Sequence, residues 1–185
     1  MDTRVRVTRM LIENSFTELL KTTPLRKITV TKICENARIN RVTFYKHYPD
    51  VFDLYEKMVA ECIDRAAGEM ERKYKKYNLK EAVRAVFRDI FDNREQYLLL
   101  FSENIDGFYR MKSIESALKK LSEIEVRIPG IDEGEYASLK TFLLFGGGGI
   151  LFSWMQEGMR QSPEEIAETL YGFIGRMMRS YAVEV

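Results

Sequence analysis

The chain of 185 residues has one histidine, one tryptophan and two cysteines. The single histidine, His47, leaves no second imidazole for a two-histidine metal site, and it falls in a short polar helix with no Ser/His/Asp set around it. Cys34 and Cys62 both fall in helical patterns, where a small buried apolar role outweighs a disulfide or redox switch. No apolar run reaches the roughly 18 residues that a membrane span needs. The N-terminus lacks the apolar core of a secretory signal, so the expected location is cytoplasmic. Strictly alternating β-branched runs are missing too, which argues against sheet. No strand precedes a phosphate-cradling loop, and the glycine run at 146–149 lacks the Lys-Ser/Thr of a nucleotide loop. Neither a catalytic set nor a cofactor or metal site is expected.

What is present is helix. The formal charge is only +1, yet it is unevenly spread. Residues 1–48 hold 10 Lys/Arg against 4 Asp/Glu, and residues 49–185 hold 19 against 24. A basic head on an acidic body is expected when one end faces a polyanion, although charge clustering alone does not establish it.

The first helix is expected over Thr3 to Thr22, with Ile12, Phe16, Leu19 and Leu20 on one face, ending at Thr23-Pro24. Leu25 and Ile28 read as a packed connector. Thr29 is an N-cap type, and Ile33, Cys34 and Ala37 form the inward face of the second helix. Asn40 opens a third helix to about Tyr48, before Pro49 breaks the chain and Asp50 caps the fourth. Phe52, Tyr55, Met58, Val59, Cys62 and Ile63 stripe that fourth helix. Leu79 to Phe91 carries the cleanest helical period of the chain. Asn93 and Gln96 read as a capping box for a short helix through Phe101. A further helix is expected from Phe108 to Val126, then a loop at Ile128-Pro129-Gly130-Ile131-Asp132-Glu133-Gly134.

Tyr136 to Met159 reads as one apolar helix. Its four central glycines each cost about 1 kcal/mol against alanine, so a loop competes with a continuous helix. Flanking apolar residues and Trp154 in phase favour continuity, with the small residues admitting a close helix neighbour. Ser162, Pro163 and Glu165 mark the start of the last helix, striped by Ile166, Leu170, Phe173, Ile174, Met177 and Met178.

The stretch Thr29 to Tyr48 carries the functional signal. Two short helices joined by a tight turn match helix-turn-helix geometry, in which the second helix enters the major groove. Eight residues from Arg41 to Tyr48 would span about 12 Å, close to the groove width. With Ile39, Phe44 and Tyr48 turned inward, Arg41, Val42, Thr43, Tyr45, Lys46 and His47 face outward. Arginine pairs with guanine edges, and Val42 and the Thr43 methyl suit thymine methyls. Tyr45, Lys46, His47 and the Thr29 and Thr31 hydroxyls suit phosphates, which position without specifying.

At Ile39 to Tyr48 the sequence resembles the signature of the TetR family of bacterial transcription regulators. Resemblance runs from Val30 to Leu54, and more loosely through Phe145-Gly146, Gly149-Ile150, Trp154, Gly158 and Ser162 to Glu165. These later residues are similar to the C-terminal domain of the dihydroxyacetone-kinase-operon activator branch. The resemblance implies an all-α chain, with a helix-turn-helix domain at 1–50 and a dimerisation and effector domain at 51–185. It implies a homodimer through the last two helices, bound to near-palindromic double-stranded DNA as a repressor. A small-molecule effector would be the switch. Its pocket is expected among Phe87, Phe91, Tyr97, Phe101, Phe108, Met111, Phe142, Phe145 and Trp154, several of which should line one cavity. Two departures stand out: Arg38 replaces the usual turn glycine, and Val51 replaces a phosphate-binding lysine. They motivate a second reading, a protein–protein coactivator of the same fold without operator binding.

Overall fold

The computed structural model describes residues 3–125 and 132–181, the side chains of 178–181 excepted. Val126, the 128–131 part of the expected loop and the Met178 side chain lie outside the described residues. Among those described, all regular structure is helical: α1 (Thr3–Leu20), α2 (Val30–Ala37), α3 (Arg41–Tyr45), α4 (Val51–Lys76), α5 (Leu79–Asp92), α6 (Arg94–Leu100), α7 (Gly107–Ser122), α8 (Glu133–Gln156) and α9 (Pro163–Tyr181). A single 3-10 turn, Leu25–Lys27, links α1 to α2. The chain divides into two compact units, Met1–Cys62 with Glu95–Ile114, and Ile63–Arg94 with Glu115–Val185. The cuts fall inside α4, after the first residue of α6 and inside α7.

In the first unit the apolar stripe of α1 is buried at Ile12, Phe16 and Leu20, with Leu19 half-covered. α1 stops two residues before the expected Thr22. The amides of Thr22 and Thr23 both turn back to the Leu19 carbonyl, and the Asn104 side-chain amide donates to the Leu20 carbonyl at 2.8 Å. Thr29 caps α2, accepting from the Lys32 amide at 3.3 Å. The buried Ser15 hydroxyl donates to the Ile33 carbonyl at 2.8 Å, tying α1 to α2. Cys34 and Cys62 are both buried free thiols. Three buried hydroxyls from α4, α6 and α7 have partners, as interior polar groups must. Tyr97 donates to the Cys62 carbonyl at 3.0 Å, while Tyr55 meets the Leu100 carbonyl at 3.1 Å and the Ser113 hydroxyl at 3.0 Å.

The α2–α3 turn takes the geometry a glycine would take. Arg38 lies in the left-handed region (φ 54, ψ 44). Its amide donates to the Glu35 carbonyl, and the Ile39 amide donates to the Cys34 carbonyl at 3.0 Å. Arginine therefore leaves the turn intact, at a cost of about 1–2 kcal/mol for a left-handed non-glycine residue.

In the second unit α5 buries Ala82, Val83, Val86, Phe87 and Ile90, and pairs with α9 through Ile166, Ala167 and Ile174. Charged pairs line the same seam: Arg84 with Glu168, Arg88 with Glu164, and Lys80 with Glu168 at 3.0 Å. Asn93 departs from its expected role. Its side-chain amide donates backward to the Asp89 carbonyl at 2.7 Å, closing α5 instead of opening α6. α8 is continuous through all four glycines. It begins at Glu133, three residues before the expected start, because Asp132 accepts from the Gly134 and Glu135 amides. It ends at Gln156, where Gly158 (φ 78) and Met159 (φ 53) turn the chain toward α9. The last start signal holds in full: Glu165 accepts from the Ser162 amide and hydroxyl at 2.8 and 2.9 Å, and Ser162 accepts from the Glu165 amide at 3.2 Å. Those bonds hold the Glu165 carboxyl below its ordinary pKa.

Arg38→Gly is expected to stabilise the fold by about 0.5–1 kcal/mol, the left-handed strain relieved less the extra freedom of an unfolded glycine. A urea titration of both proteins measures it, and an unchanged or lower midpoint contradicts the account.

Candidate nucleic-acid interface

The recognition segment is a helix of five residues, Arg41–Tyr45, shorter than the eight expected. The Asn40 side chain opens it by accepting from the Val42 amide at 2.9 Å. The His47 and Tyr48 amides both turn to the Phe44 carbonyl, at 2.9 and 3.0 Å, which tightens and ends the helix. Pro49 bars the helix from running on past Tyr48, because the residue before proline is driven out of helical geometry.

Five residues cannot hold a helix by their own hydrogen bonds. Burial holds this one. Phe44 and Tyr48 are both fully buried, their rings 5.8 Å apart, and Ile39 is half-buried. The Tyr48 hydroxyl donates to Glu13 at 2.7 Å and accepts from Arg9 Nε at 3.3 Å. Arg9 also pairs with Glu13 at 3.1 Å and with Glu61. One phenol thus joins α1, the end of the recognition segment and α4. Burial, and then the bond to Glu13, push the Tyr48 phenol well above the usual tyrosine range. The hydrogen bond to the Glu61 carboxylate, followed by that to Tyr48, raises the Arg9 guanidinium further, so the phenol stays neutral and the guanidinium charged at any physiological pH.

The outward face follows from that anchoring. Val42 is 64 % exposed and Tyr45 55 % exposed. Arg41 and Lys46 are exposed beside them, and Thr43 and His47 are half-exposed. Thr29 is exposed and Thr31 half-exposed at the start of α2, the Thr29 hydroxyl oxygen already serving as the cap. Among the described residues, Lys32, Arg38, Arg41 and Lys46 have no carboxylate within ion-pair distance, in contrast to the paired arginines of α5. Val51 is buried at the head of α4 and offers no cation there. Lys57, which sequence reasoning passed over, lies over the Tyr48 ring at 5.2 Å and donates to the His47 carbonyl at 3.3 Å. Only the tertiary fold places that ammonium beside the recognition segment, ten residues away in sequence.

The second unit holds a partly open cavity of about 350 Å³. Of the nine residues expected around a pocket, Phe87 alone lines it. Phe91 and Trp154 belong to the same unit but plug the core behind it, Trp154 lying 5.4 Å from Phe87 and 6.3 Å from Phe91. Tyr97, Phe101, Phe108 and Met111 are in the first unit. Phe142 and Phe145 are 62 % and 63 % exposed, on another face of α8. The nine do not come together at this cavity: its wall is mostly aliphatic, with tyrosines and glycines. Gly147, Gly148 and Gly175 line it. Within this chain a Cβ on Gly148 would press on Leu118 at 3.3 Å, whereas Gly146 and Gly149 face open space.

No group of three or more metal-ligating side chains occurs among the described residues, and no described helix is long and apolar enough to cross a membrane.

A short, externally anchored helix bearing free cations, behind a capped helix and a tight turn, defines a helix-turn-helix protein of the all-α class. The family model described as a transcriptional regulator C-terminal region, of TetR type, matches residues 77–176. The chain belongs to the TetR family of transcriptional regulators. It is 22 % identical over 175 residues to the uncharacterized HTH-type transcriptional regulator YxbF of Bacillus subtilis (strain 168). That alignment takes in 89 % of this chain and 44 % of the relative, so the chain spans less than half of that protein's length. Its fold is similar to a TetR transcriptional regulator from Streptococcus agalactiae 2603V (TM-score 0.65, 21 % identity, 94 % and 96 % of the two chains). Similar folds occur in the dihydroxyacetone kinase operon activator DhaS (0.65, 16 %, 94 % and 97 %). NalD, the secondary repressor of the MexAB-OprM multidrug efflux pump in Pseudomonas aeruginosa, is another (0.68, 16 %, 92 % and 96 %).

Tyr48→Phe keeps the buried ring and removes the shared hydroxyl. It is expected to cost about 1–2 kcal/mol, since Arg9 and Glu13 each lose a hydrogen bond. Denaturant titration reads the loss; a variant as stable as the parent would show that the network is not what anchors the segment.

Proposed function

We propose that this protein is a DNA-binding regulator of transcription that acts in the cytoplasm as a homodimer. Residues 1–50 carry the DNA contacts and residues 51–185 the dimer and effector functions. The observation that carries the reading is the exposed, unpaired set Arg41, Val42, Tyr45 and Lys46 on a segment whose opposite side is locked by Phe44 and Tyr48. Arg41, Val42 and Thr43 would touch base edges, while Thr29, Thr31, Tyr45, Lys46 and His47 would hold phosphates. Two such segments, about 34–36 Å apart in a dimer, suit a near-palindromic operator.

Dimerisation through α8 and α9 is supported by an apolar stripe. Phe142, Phe145, Gly146 and Gly149 recur at i, i+3, i+4 and i+7 on α8 and are all exposed, with Phe173 exposed on α9. A contiguous patch of this kind marks an interaction surface, and its glycines admit a close-packed helix. The effector site is the second unit's cavity, whose occupancy would bias the dimer toward one operator affinity. Repression is the sign proposed. Among the fold relatives NalD is named a repressor and DhaS an activator. In vitro transcription from the operator, with and without protein, decides the sign. Buried Val51 favours a second reading, the coactivator without operator affinity.

Selection from a random DNA pool should return one near-palindromic sequence, bound with a steep salt dependence. Arg41→Ala should weaken binding about 10- to 100-fold and relax sequence preference, whereas Lys46→Ala should lower the salt slope by about one. Failure to enrich any sequence at low salt supports the coactivator. In sedimentation the parent should run as a dimer and Phe145→Glu as a monomer; a Phe145→Glu dimer of parental affinity would move the interface elsewhere.

A further inference from the structure

The wall of the cavity in the second unit is specific enough to define a ligand class, an inference that rests on the effector reading above. One face of α8 runs along it: Leu143, Leu144, Gly147, Gly148 and Leu151, preceded by Lys140. From Lys140 to Leu151 is 11 helical steps, about 16 Å at 1.5 Å per residue, so the wall is long. Apolar side chains of α4, α5, α7 and α9 close the other sides, among them Met70, Val83, Val86, Leu121 and Ile174. Lys140 is the one charged residue among the lining residues. Its ammonium sits 5.7 Å from the Tyr136 ring, and no carboxylate pairs with it among the described residues. A cation next to an apolar enclosure lacks the counter-charge that the acidic surroundings supply elsewhere, as Glu168 does for Lys80 on α5. An anion brought in by a ligand would meet it where water is partly excluded and the attraction is strong.

The glycines support the same occupant. Among the described residues, a Cβ on Gly147 would meet only Leu170, at an ordinary 3.5 Å, and one on Gly175 would meet nothing within 4 Å. Packing inside this chain therefore does not require glycine at either position. Both line the cavity, one from α8 and one from α9, and their missing side chains keep its volume open.

We propose that the cavity binds an elongated, unbranched apolar molecule ending in one anionic group, its tail along α8 and its head at Lys140. Methylenes of the tail would leave water for an apolar wall, which is favourable along its whole length, and the head would supply the missing counter-charge.

Three probes with one tail and different heads test this: dodecanoate, dodecanol and dodecyltrimethylammonium, each below its micellar concentration. Binding to the full chain is followed by calorimetry and by the fluorescence of Trp154, the chain's single tryptophan, which packs on the cavity residue Phe87. Dodecanoate is expected to bind about tenfold or more tightly than dodecanol, and dodecyltrimethylammonium most weakly. Lys140→Gln should bring dodecanoate to the affinity of dodecanol without changing the latter. Gly175→Leu should fold, since its Cβ has room and leucine is the better helix former, yet bind none of the three. Circular dichroism and melting confirm that it is folded. Equal affinity for all three heads overturns the assignment of Lys140. Undiminished dodecanoate binding by folded Gly175→Leu overturns the site. Selective dodecanoate binding without any selected DNA sequence would sink the regulator reading and keep this one; a selected operator in a protein indifferent to all three probes would do the reverse.

Discussion

The geometry of the short third helix depends on one phenol. Tyr48 sits where the recognition segment stops, buried to its ring and bonded at its hydroxyl to Glu13 and Arg9. Through Arg9 the same network reaches Glu61 on α4. A helix of five residues has too few internal hydrogen bonds to persist alone. Its outward residues have defined directions only because Phe44 and Tyr48 are held from behind. Burial and its partners keep the phenol protonated, and the Glu61 carboxylate and Tyr48 keep the Arg9 guanidinium charged.

α8 shows how one helix can serve two surfaces. It is apolar on nearly every side, a pattern that demands cover on more than one face. One face lines the cavity through Leu143, Leu144, Gly147 and Gly148, and another leaves Phe142, Phe145, Gly146 and Gly149 exposed. The four glycines thus divide into two pairs with different surroundings. On the proposed reading this division gives the switch a physical route. A ligand bears on one side of the rigid helix whose other side meets the second subunit, and differential affinity for two dimer arrangements does the rest.

Local signals in the chain were legible wherever a single residue determines backbone geometry. Thr29, Asn40, Asp50, Ser162 and Pro163 each mark a helix start that the structure keeps, because a cap depends only on neighbours three residues away. Asn93 misled for the same reason: its amide could serve the helix behind it as well as the one ahead, and local sequence does not choose. The Arg38 turn needed only a left-handed residue, and arginine supplies one under strain.

By itself, then, the sequence determined the helical class, the basic head, the capped helix-turn-helix and its outward residues, since periodicity, caps and charge are local properties. Only the tertiary structure decided which groups meet. It brought Arg9, Glu61 and Lys57 to the recognition segment from other helices. It turned Phe142 and Phe145 outward, and it built the cavity mainly from Lys140, aliphatic side chains and glycines, with Phe87 alone of the aromatic candidates that accompanied the family resemblance. A cavity is the space left between packed elements, and that space depends on contacts far apart in sequence.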